Sequence, residues 1–342
     1  MGVQLLKILK IGGLIISVPI ILLVLFYLWG SSGSYPQEKY NQITKYDTES
    51  IPGEDGILTV ISYNIGYLSG LENAATSNNA TQASKEFYEQ NLQTVITAFK
   101  SLNPDFIGLQ EVDIQSKRSY KVNQVAELAK NLGLPTALIG INWDKNYIPF
   151  PYFPLNAHFG RTVAAQSILS RYPITKGTRI VLEPVQSQPF YYRAFYLDRI
   201  AQIAEIDVKG QPLIIINVHL EAFDEPTRTN QTEEIKELAE EYAQKYPVLL
   251  IGDFNSSLNH QEESQTSIQL LLKSAIFQSA INPDQLKSGK FATYPSNQPK
   301  YTLDYIFYNR DRIQLIDAQV ITSTETASDH LPVMMRFRLG NF

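Results

Sequence analysis

Eight short runs rich in β-branched and aromatic residues punctuate this chain, and most begin or end in a carboxylate, a carboxamide or an imidazole. They are Ile57–Tyr63, Phe106–Leu109, Val163–Leu169, Arg199–Val208, Leu213–Leu220, Val248–Ile251, Tyr305–Tyr308 and Pro332–Phe337. Their length and content predict strands, with Lys209-Gly210 as a hairpin turn between two of them. Between the runs lie amphipathic stretches. Leu92, Val95, Ile96 and Phe99 share one helical face, and Asn103-Pro104 ends that helix. Val125, Leu128, Ala129 and Leu132 share another, stopped by Gly133. Ile235, Leu238, Ala239 and Tyr242 form a third, with Glu233 and Glu234 placed in its first turn and Pro247 after it. Hairpins together with strand–helix–strand units imply an α+β (mixed α/β) domain of mixed sheets covered by helices.

Ahead of this domain, residues 11–29 are apolar apart from glycines, Ser17 and Pro19. At about 1.5 Å per residue, such a run nearly spans a hydrocarbon core of about 30 Å. Lys7 and Lys10 precede it and the next cation is Lys39, which orients the N-terminus to the cytoplasm and the rest outside it. A cleaved signal peptide is the alternative. The length of the run, and the Gly30-Ser31-Ser32-Gly33-Ser34 linker in place of an Ala-x-Ala site, favour an uncleaved single-pass anchor. The chain then divides into an anchor (1–30), a linker (31–55) and a catalytic-type domain (56–342).

The chain contains no cysteine, which excludes disulfides, zinc–thiolate sites, iron–sulfur clusters and cysteine nucleophiles. From residue 31 on there are 27 basic and 34 acidic residues, a charge of −7 that argues against a sequence-independent binder of nucleic acid. Nothing in the sequence requires an obligate protein partner.

The polar residues at the strand ends carry the chemistry. Asn64 closes the first strand, Gln110-Glu111 the second, and His219 follows an all-apolar run. Gly252-Asp253-Phe254-Asn255 ends the strand after the third helix, Asp304 opens a late strand, and Ser328-Asp329-His330 opens the last. Asp253 and Asn255 are two apart, so in extended chain they face one side. A buried strand delivering both to one point needs a cation or an anionic substrate to compensate them. Hard oxygen donors with few imidazoles and no thiols match Mg²⁺, Mn²⁺ or Ca²⁺. His330, with Asp304 as an orienting partner, matches a general base.

This ordered set resembles the endonuclease/exonuclease/phosphatase superfamily, the DNase I-like fold, over about residues 57–337. The resemblance implies a four-layer αββα sandwich of two mixed β-sheets flanked by helices, here preceded by one transmembrane helix. It assigns Glu111, Asn64 and Asp329 to the metal, and His330 with Asp304 to polarising the attacking water. Asp253 would position or deprotonate that water, or protonate the leaving oxygen. Asn255 and His219 would hold phosphoryl oxygens, His219 with a further option as acid. Arg199 is a further candidate for a phosphate contact, because a fork of donors suits that anion; its alternative is a surface ion pair with Asp198 or another acid.

The implied activity is metal-assisted, in-line attack of water on a phosphodiester or phosphomonoester. A membrane tether and an acidic domain favour a lipid or headgroup substrate; an extracytoplasmic nuclease acting on DNA or RNA, and a non-catalytic binding domain on the same fold, are the alternatives. The aromatic segment Trp143–Phe159 either packs on the sandwich edge or forms a lid or bilayer-facing wall, with His158 and Arg161 near a headgroup. This segment, Gln110–Asp113 and Lys117–Tyr120 also resemble bacterial membrane-anchored members of the superfamily.

Overall fold

A computed structural model describes residues 2–49, 53, 56–71, 83–258 and 267–340, the side chains of 2–9, 11–14 and 16 excepted. The apolar run 11–29, the linker 31–55 and the domain from 56 onward thus lie partly outside the described residues. In chain order the first elements are α1 (Gly2–Ser31), β1 (Asn41–Lys45), β2 (Leu58–Asn64), α2 (Lys85–Leu102) and β3 (Phe106–Asp113). Next come α3 (Gln124–Leu132), β4 (Thr136–Ile148), β5 (Gly160–Ser170), β6 (Ile174–Val181), α4 (Phe190–Arg193) and β7 (Ile200–Val208). Then follow β8 (Gln211–His219), α5 (Glu225–Ala243), β9 (Val248–Asp253), α6 (Ile268–Leu272) and β10 (Phe277–Ser279). The last are α7 (Pro283–Lys287), β11 (Asp304–Asn309), β12 (Ile313–Val320) and β13 (Val333–Leu339).

The strands form two mixed sheets, ordered β1-β4-β5-β3-β2-β13-β12 and β10-β11-β9-β8-β7-β6. One pair in each is parallel, β2 with β3 and β8 with β9, and the helices α2 and α5 make the crossovers. Period-2 alternation builds the layers. On β2 and β3, Val60 and Phe106 turn toward the second sheet, while Ile61 and Ile107 turn toward α2 and α3. α2 buries Val95, Ile96 and Phe99 on one stripe, is capped by the Ser84 hydroxyl, and ends on Asn103 in the left-handed conformation. Between the sheets, buried amides cross-link the layers. Gln110 Nε2 donates to Asn217 Oδ1 at 2.6 Å, and Asn217 Nδ2 donates to the carbonyl of Leu109 at 3.0 Å.

Three local expectations change. α5 begins at Glu225, two turns before Glu233, capped by Asp224, which accepts from the Thr227 amide at 3.0 Å. Its first turns bury the polar Thr227, Arg228, Gln231 and Thr232, so an apolar stripe is not visible there. Trp143–Ile148 belongs to β4 instead of to a loop. Within the segment expected as a linker, residues 41–45 form β1 on the edge of β4. Asp144 holds the adjoining chain by accepting from the Tyr35 amide and the Tyr40 hydroxyl, both at 2.9 Å. Gly33 makes this approach possible, since a Cβ there would stand 2.1 Å from Asp144 Oδ2.

Among the described residues no helix is long and apolar enough to cross a membrane. α1 is described with its side chains only at Lys10, Ile15 and from Ser17 on, so the expected span Ile11–Trp29 falls partly outside them.

Candidate active site

The two parallel pairs point their C-terminal ends in one direction, and antiparallel neighbours bring the starts of β11 and β13 to the same place. Register does the gathering. Asp304 lies opposite Asp253 across β11 and β9, and His219 opposite Asp253 across β8 and β9. Asn64, at the end of β2, pairs with Gln110 on β3.

Backbone irregularities aim the side chains. The β3–β5 register slips between Leu109 and Val112, and Glu111 in that bulge has φ 50°. A bulge of this kind redirects a side chain that regular pleating would point elsewhere. Asn255 and Tyr67 also hold positive φ, at 49° and 40°; such conformations cost about 1–3 kcal/mol each and concentrate at functional sites. Gly252, at φ 144°, lets β9 lie against β8, because a Cβ there would stand 2.0 Å from the Val218 carbonyl oxygen.

Asp253 Oδ2 is the hub. Asn64 Nδ2 donates to it at 3.0 Å, His219 Nε2 lies 3.5 Å away, and His330 Nε2 lies 3.8 Å away. The other Asp253 oxygen accepts from the Asn255 amide at 2.9 Å. Asn64 Nδ2 also donates to Glu111 Oε1 at 3.1 Å, and His219 Nε2 is 3.8 Å from that oxygen. His330 Nδ1 is bonded to Asp304 Oδ2 at 2.8 Å, which leaves Nε2 toward the cleft. The Ser328 hydroxyl anchors the last loop on the Asn64 carbonyl at 2.8 Å and lies 3.3 Å from Asp329 Oδ1. Glu111 is the opening of the cluster: its side chain is 27% exposed, whereas Asp253, Asp304, Asp329, His219 and His330 are buried.

Crowding of buried acids sets the protonation. Burial, reinforced by Asp304, pushes the Asp253 carboxyl up to about 7 against the pull of His330 and Asn64. Burial, reinforced by Glu111, lifts Asp329 to about 6. Burial opposes a charged His330 ring, but Asp304, Asp253 and Asp329 together raise it well above the usual histidine range. His219 is held well below that range, by burial first and then by Arg199 and His330, and is neutral.

All nine sequence-predicted site residues gather at this end of the molecule, with two adjustments. Asn255 spends one side-chain N–H on the Leu220 carbonyl at 3.0 Å. Arg199 is buried instead of on the surface, and Asp198 pairs with Arg179. Arg199 Nε reaches Glu221 Oε2 at 3.3 Å and its Nη2 reaches the Tyr196 hydroxyl at 3.1 Å, while its buried Nη1 has no partner among the described residues. Sequence reasoning missed the support on the other flank. The Arg118 guanidinium lies 3.6 Å over the Tyr67 ring and is held by both oxygens of Asp113 at 2.9 and 3.0 Å. Both residues fall in Gln110–Asp113 and Lys117–Tyr120, stretches that carry the resemblance above, and their spacing as an acid–base pair five residues apart is a further signal.

A cation fits this cluster. Glu111, Asp253, Asp304 and Asp329 converge, and the buried Asp304 Oδ1 has no hydrogen-bond partner among the described residues. Ligating atoms of Asp253, Asp304 and His330 all lie within 4.8 Å of one another.

Two mixed sheets with site residues at the ends of both parallel pairs match a known family over most of the chain: the model of the Endonuclease/Exonuclease/phosphatase family covers residues 61–330. The chain belongs to that family. A Vibrio cholerae protein named UPF0294 protein is 31% identical over 133 residues, 39% of this chain, and the match spans 42% of that relative's length. Among solved structures, an endonuclease/exonuclease/phosphatase from Beutenbergia cavernae aligns with TM-score 0.60 at 19% identity, covering 83% of this chain and 72% of that one. The human Nocturnin catalytic domain with bound sulfate aligns at 0.56 and 18%, covering 88% and 98%. A Bacteroides thetaiotaomicron mannosyl-6-phosphatase aligns at 0.57 and 17%, covering 83% and 100%. These likenesses establish the fold.

Proposed function

We propose that the chain is a membrane-tethered phosphoesterase that uses a divalent ion, Mg²⁺ or else Mn²⁺ or Ca²⁺, to hydrolyse the phosphate ester of a lipid or its headgroup. The observation that carries this reading is the junction of Asn64, Glu111, Asp253, Asp304, Asp329 and His330 around one opening. Glu111, Asn64 and Asp329 would hold the ion, which when bound supplies electrophilic stabilisation to phosphoryl oxygens. The protein's own groups do the rest. Asp304 fixes the His330 ring through Nδ1, so Nε2 is the atom that faces the attacking water. With a cation bound, the carboxylates that now hold the ring protonated would be offset, and Nε2 would then take the proton from that water. Asp253, carrying the Asn64 and Asn255 hydrogen bonds, positions that water or returns a proton to the leaving oxygen. Neutral His219, Asn255 and the spare Nη1 of Arg199 are the donors for the non-bridging oxygens.

The tether is α1. Lys7 and Lys10 ahead of the apolar run place the N-terminus in the cytoplasm and the catalytic domain outside it. The acidic domain lacks the counterion-release drive that holds a nuclease on a polyanion.

The deciding measurement assays the purified full chain, with and without chelator, on phospholipid vesicles, single- and double-stranded DNA, RNA, and chromogenic phosphate mono- and diesters. Chelator-sensitive hydrolysis greatest on the lipids is expected. Turnover of nucleic acid alone would replace this reading with an extracytoplasmic nuclease, and no metal-dependent turnover on any substrate would favour a binding domain.

A further inference from the structure

Six large apolar side chains stand out into solvent at one end of the domain: Tyr152, Phe153 and Leu155 in the β4–β5 loop, Phe190 and Tyr191 on α4, and Phe223 after β8. Each is more than half exposed, Phe153 at 80% and Phe223 at 75%. Scattered exposed aromatics need no explanation, whereas a joined patch marks a contact surface. These are joined. Tyr152 meets Phe150 edge to face at 6.1 Å between ring centroids, and its carbonyl lies 3.4 Å from His158 Nε2. Trp143 Nε1 donates to the Phe195 carbonyl at 2.8 Å, which ties β4, at the base of the first loop, to the α4 segment. Ser187 Oγ donates to Asp224 Oδ1 at 2.8 Å, tying the second loop to the third.

The same loops grip the last turns of α1. Phe26 meets Tyr147 at 5.6 Å between ring centroids, and Tyr27 meets Phe195 at 5.7 Å and Phe190 at 6.3 Å. Asn146 locks the exit of the helix, its amide donating to the Ser32 carbonyl at 2.8 Å and its side chain to the Trp29 carbonyl at 3.1 Å. Phe26 and Tyr27 belong to the apolar run itself. Side chains packed on them therefore sit at the depth where that run leaves a bilayer. Charge is sorted in the same sense in two of the three segments: residues 145–160 and 184–197 contain no Asp or Glu, although the exported part carries −7 overall, whereas Phe223 is followed by Asp224 and Glu225. The rim also borders the catalytic cleft. Phe159 packs on Tyr67 at 5.8 Å, and the Tyr196 hydroxyl donates to Glu221, the partner of Arg199.

We infer that this aromatic rim lies in the interfacial layer of the bilayer that holds α1, so that the cleft opens onto the phosphate groups of lipids in the same membrane. Aromatic rings favour that layer, and the acid-free β4–β5 loop and α4 segment tolerate an anionic surface. The inference rests on the tether and lipid substrate proposed above, and it adds which surface meets the lipid.

The absence of cysteine makes the test direct. Full chains carrying one label site each, F153C, Y191C or F223C, take an environment-sensitive fluorophore and are reconstituted into phosphatidylcholine–phosphatidylglycerol vesicles containing spin-labelled lipid. L23C in α1 and K209C in the far hairpin turn bracket the range. Quenching at the three rim sites close to that of L23C, with none at K209C, is the expected result. Rim labels as exposed as K209C, while L23C is quenched, would overturn the inference and leave the tether intact; an unquenched L23C would overturn both. In activity, the F153S/Y191S/F223S triple variant is expected to lose about tenfold or more on vesicle phospholipid, with turnover of a soluble chromogenic diester unchanged. Equal turnover of vesicle lipid by the triple variant and the native chain would also overturn it, without touching the lipid-hydrolase reading.

Discussion

Both ends of the two-sheet sandwich bury charge, and they treat it in opposite ways. At the start of β2 and β3, Asp105 is closed in by donors: the Thr59 amide at 2.9 Å and Arg171 Nε at 2.7 Å. Arg171 in turn reaches the Asn103 side chain at 2.9 Å and the Pro104 carbonyl at 2.8 Å, leaving only Nη1 without a partner. At the other end of the same strands four acids share two imidazoles, and Asp304 Oδ1 and His219 Nδ1 have no partner among the described residues. Burial is the first cause raising both Asp105 and Asp253. What differs is the company: a dedicated guanidinium for Asp105, further carboxylates for Asp253. Buried charge does not by itself mark a site; buried charge left short of partners does.

The largest effect that would break this comparison is on turnover at the open end. His330→Ala is expected to lose about 10²–10⁴ in kcat, the range for a positioned acid–base group, measured on the folded fraction because the change also strands the buried Asp304 carboxylate. A variant within tenfold of the native rate would remove His330 from the chemistry. At the closed end the effect falls on stability instead. Arg171→Met strands the buried Asp105 carboxylate and is expected to cost about 3–5 kcal/mol in denaturant unfolding, while kcat of the folded fraction is kept. Lost kcat with unchanged stability would mean that the two ends are not distinct.

The smallest effect sharpens the comparison at an edge. Asp144 is ion-paired with Arg161 and bonded to the Tyr35 amide and Tyr40 hydroxyl. Burial opposes its charge, but these partners together lower its pKa from the ordinary 3.8. The folded form thus releases the Asp144 proton more readily than the unfolded one. The stabilisation is complete above pH 3.8 and disappears as pH falls through the lowered value. Amide exchange at Tyr35 should accelerate, relative to the β2 amides, only below that point. Gly33→Ala, by displacing Asp144, should produce the same local opening at neutral pH.

How much of this was legible depends on position in the sheet. The eight runs read from sequence correspond to β2, β3, β5 and β13 in one sheet and β7, β8, β9 and β11 in the other. These are the inner four strands of each sheet; the strands not foreseen, β1, β4, β6, β10 and β12, lie outside them. Inner strands are covered on both faces and read as unbroken apolar runs, whereas edge strands carry polar residues that blunt further pairing. β6 fully buries only Ile174 of its eight residues, and β1 is largely exposed. α5 began early for a related reason: its first turns bury polar groups, which periodicity of apolar residues does not register.

The sequence by itself determined which donor atoms the site has and at which strand ends they sit, because strand length, helix stripe and residue type are local properties of the chain. Tertiary structure alone decided their relations. It set Asp304 across from Asp253 by register, turned Glu111 into the cleft through a bulge, left Nε2 of His330 free by bonding Nδ1, and gave Arg199 to Glu221 and not to its neighbour Asp198. The physical reason is sequence separation. Asn64 and Asp253 are 189 residues apart, and only the packing of one sheet against the other brings their side chains within 3.0 Å.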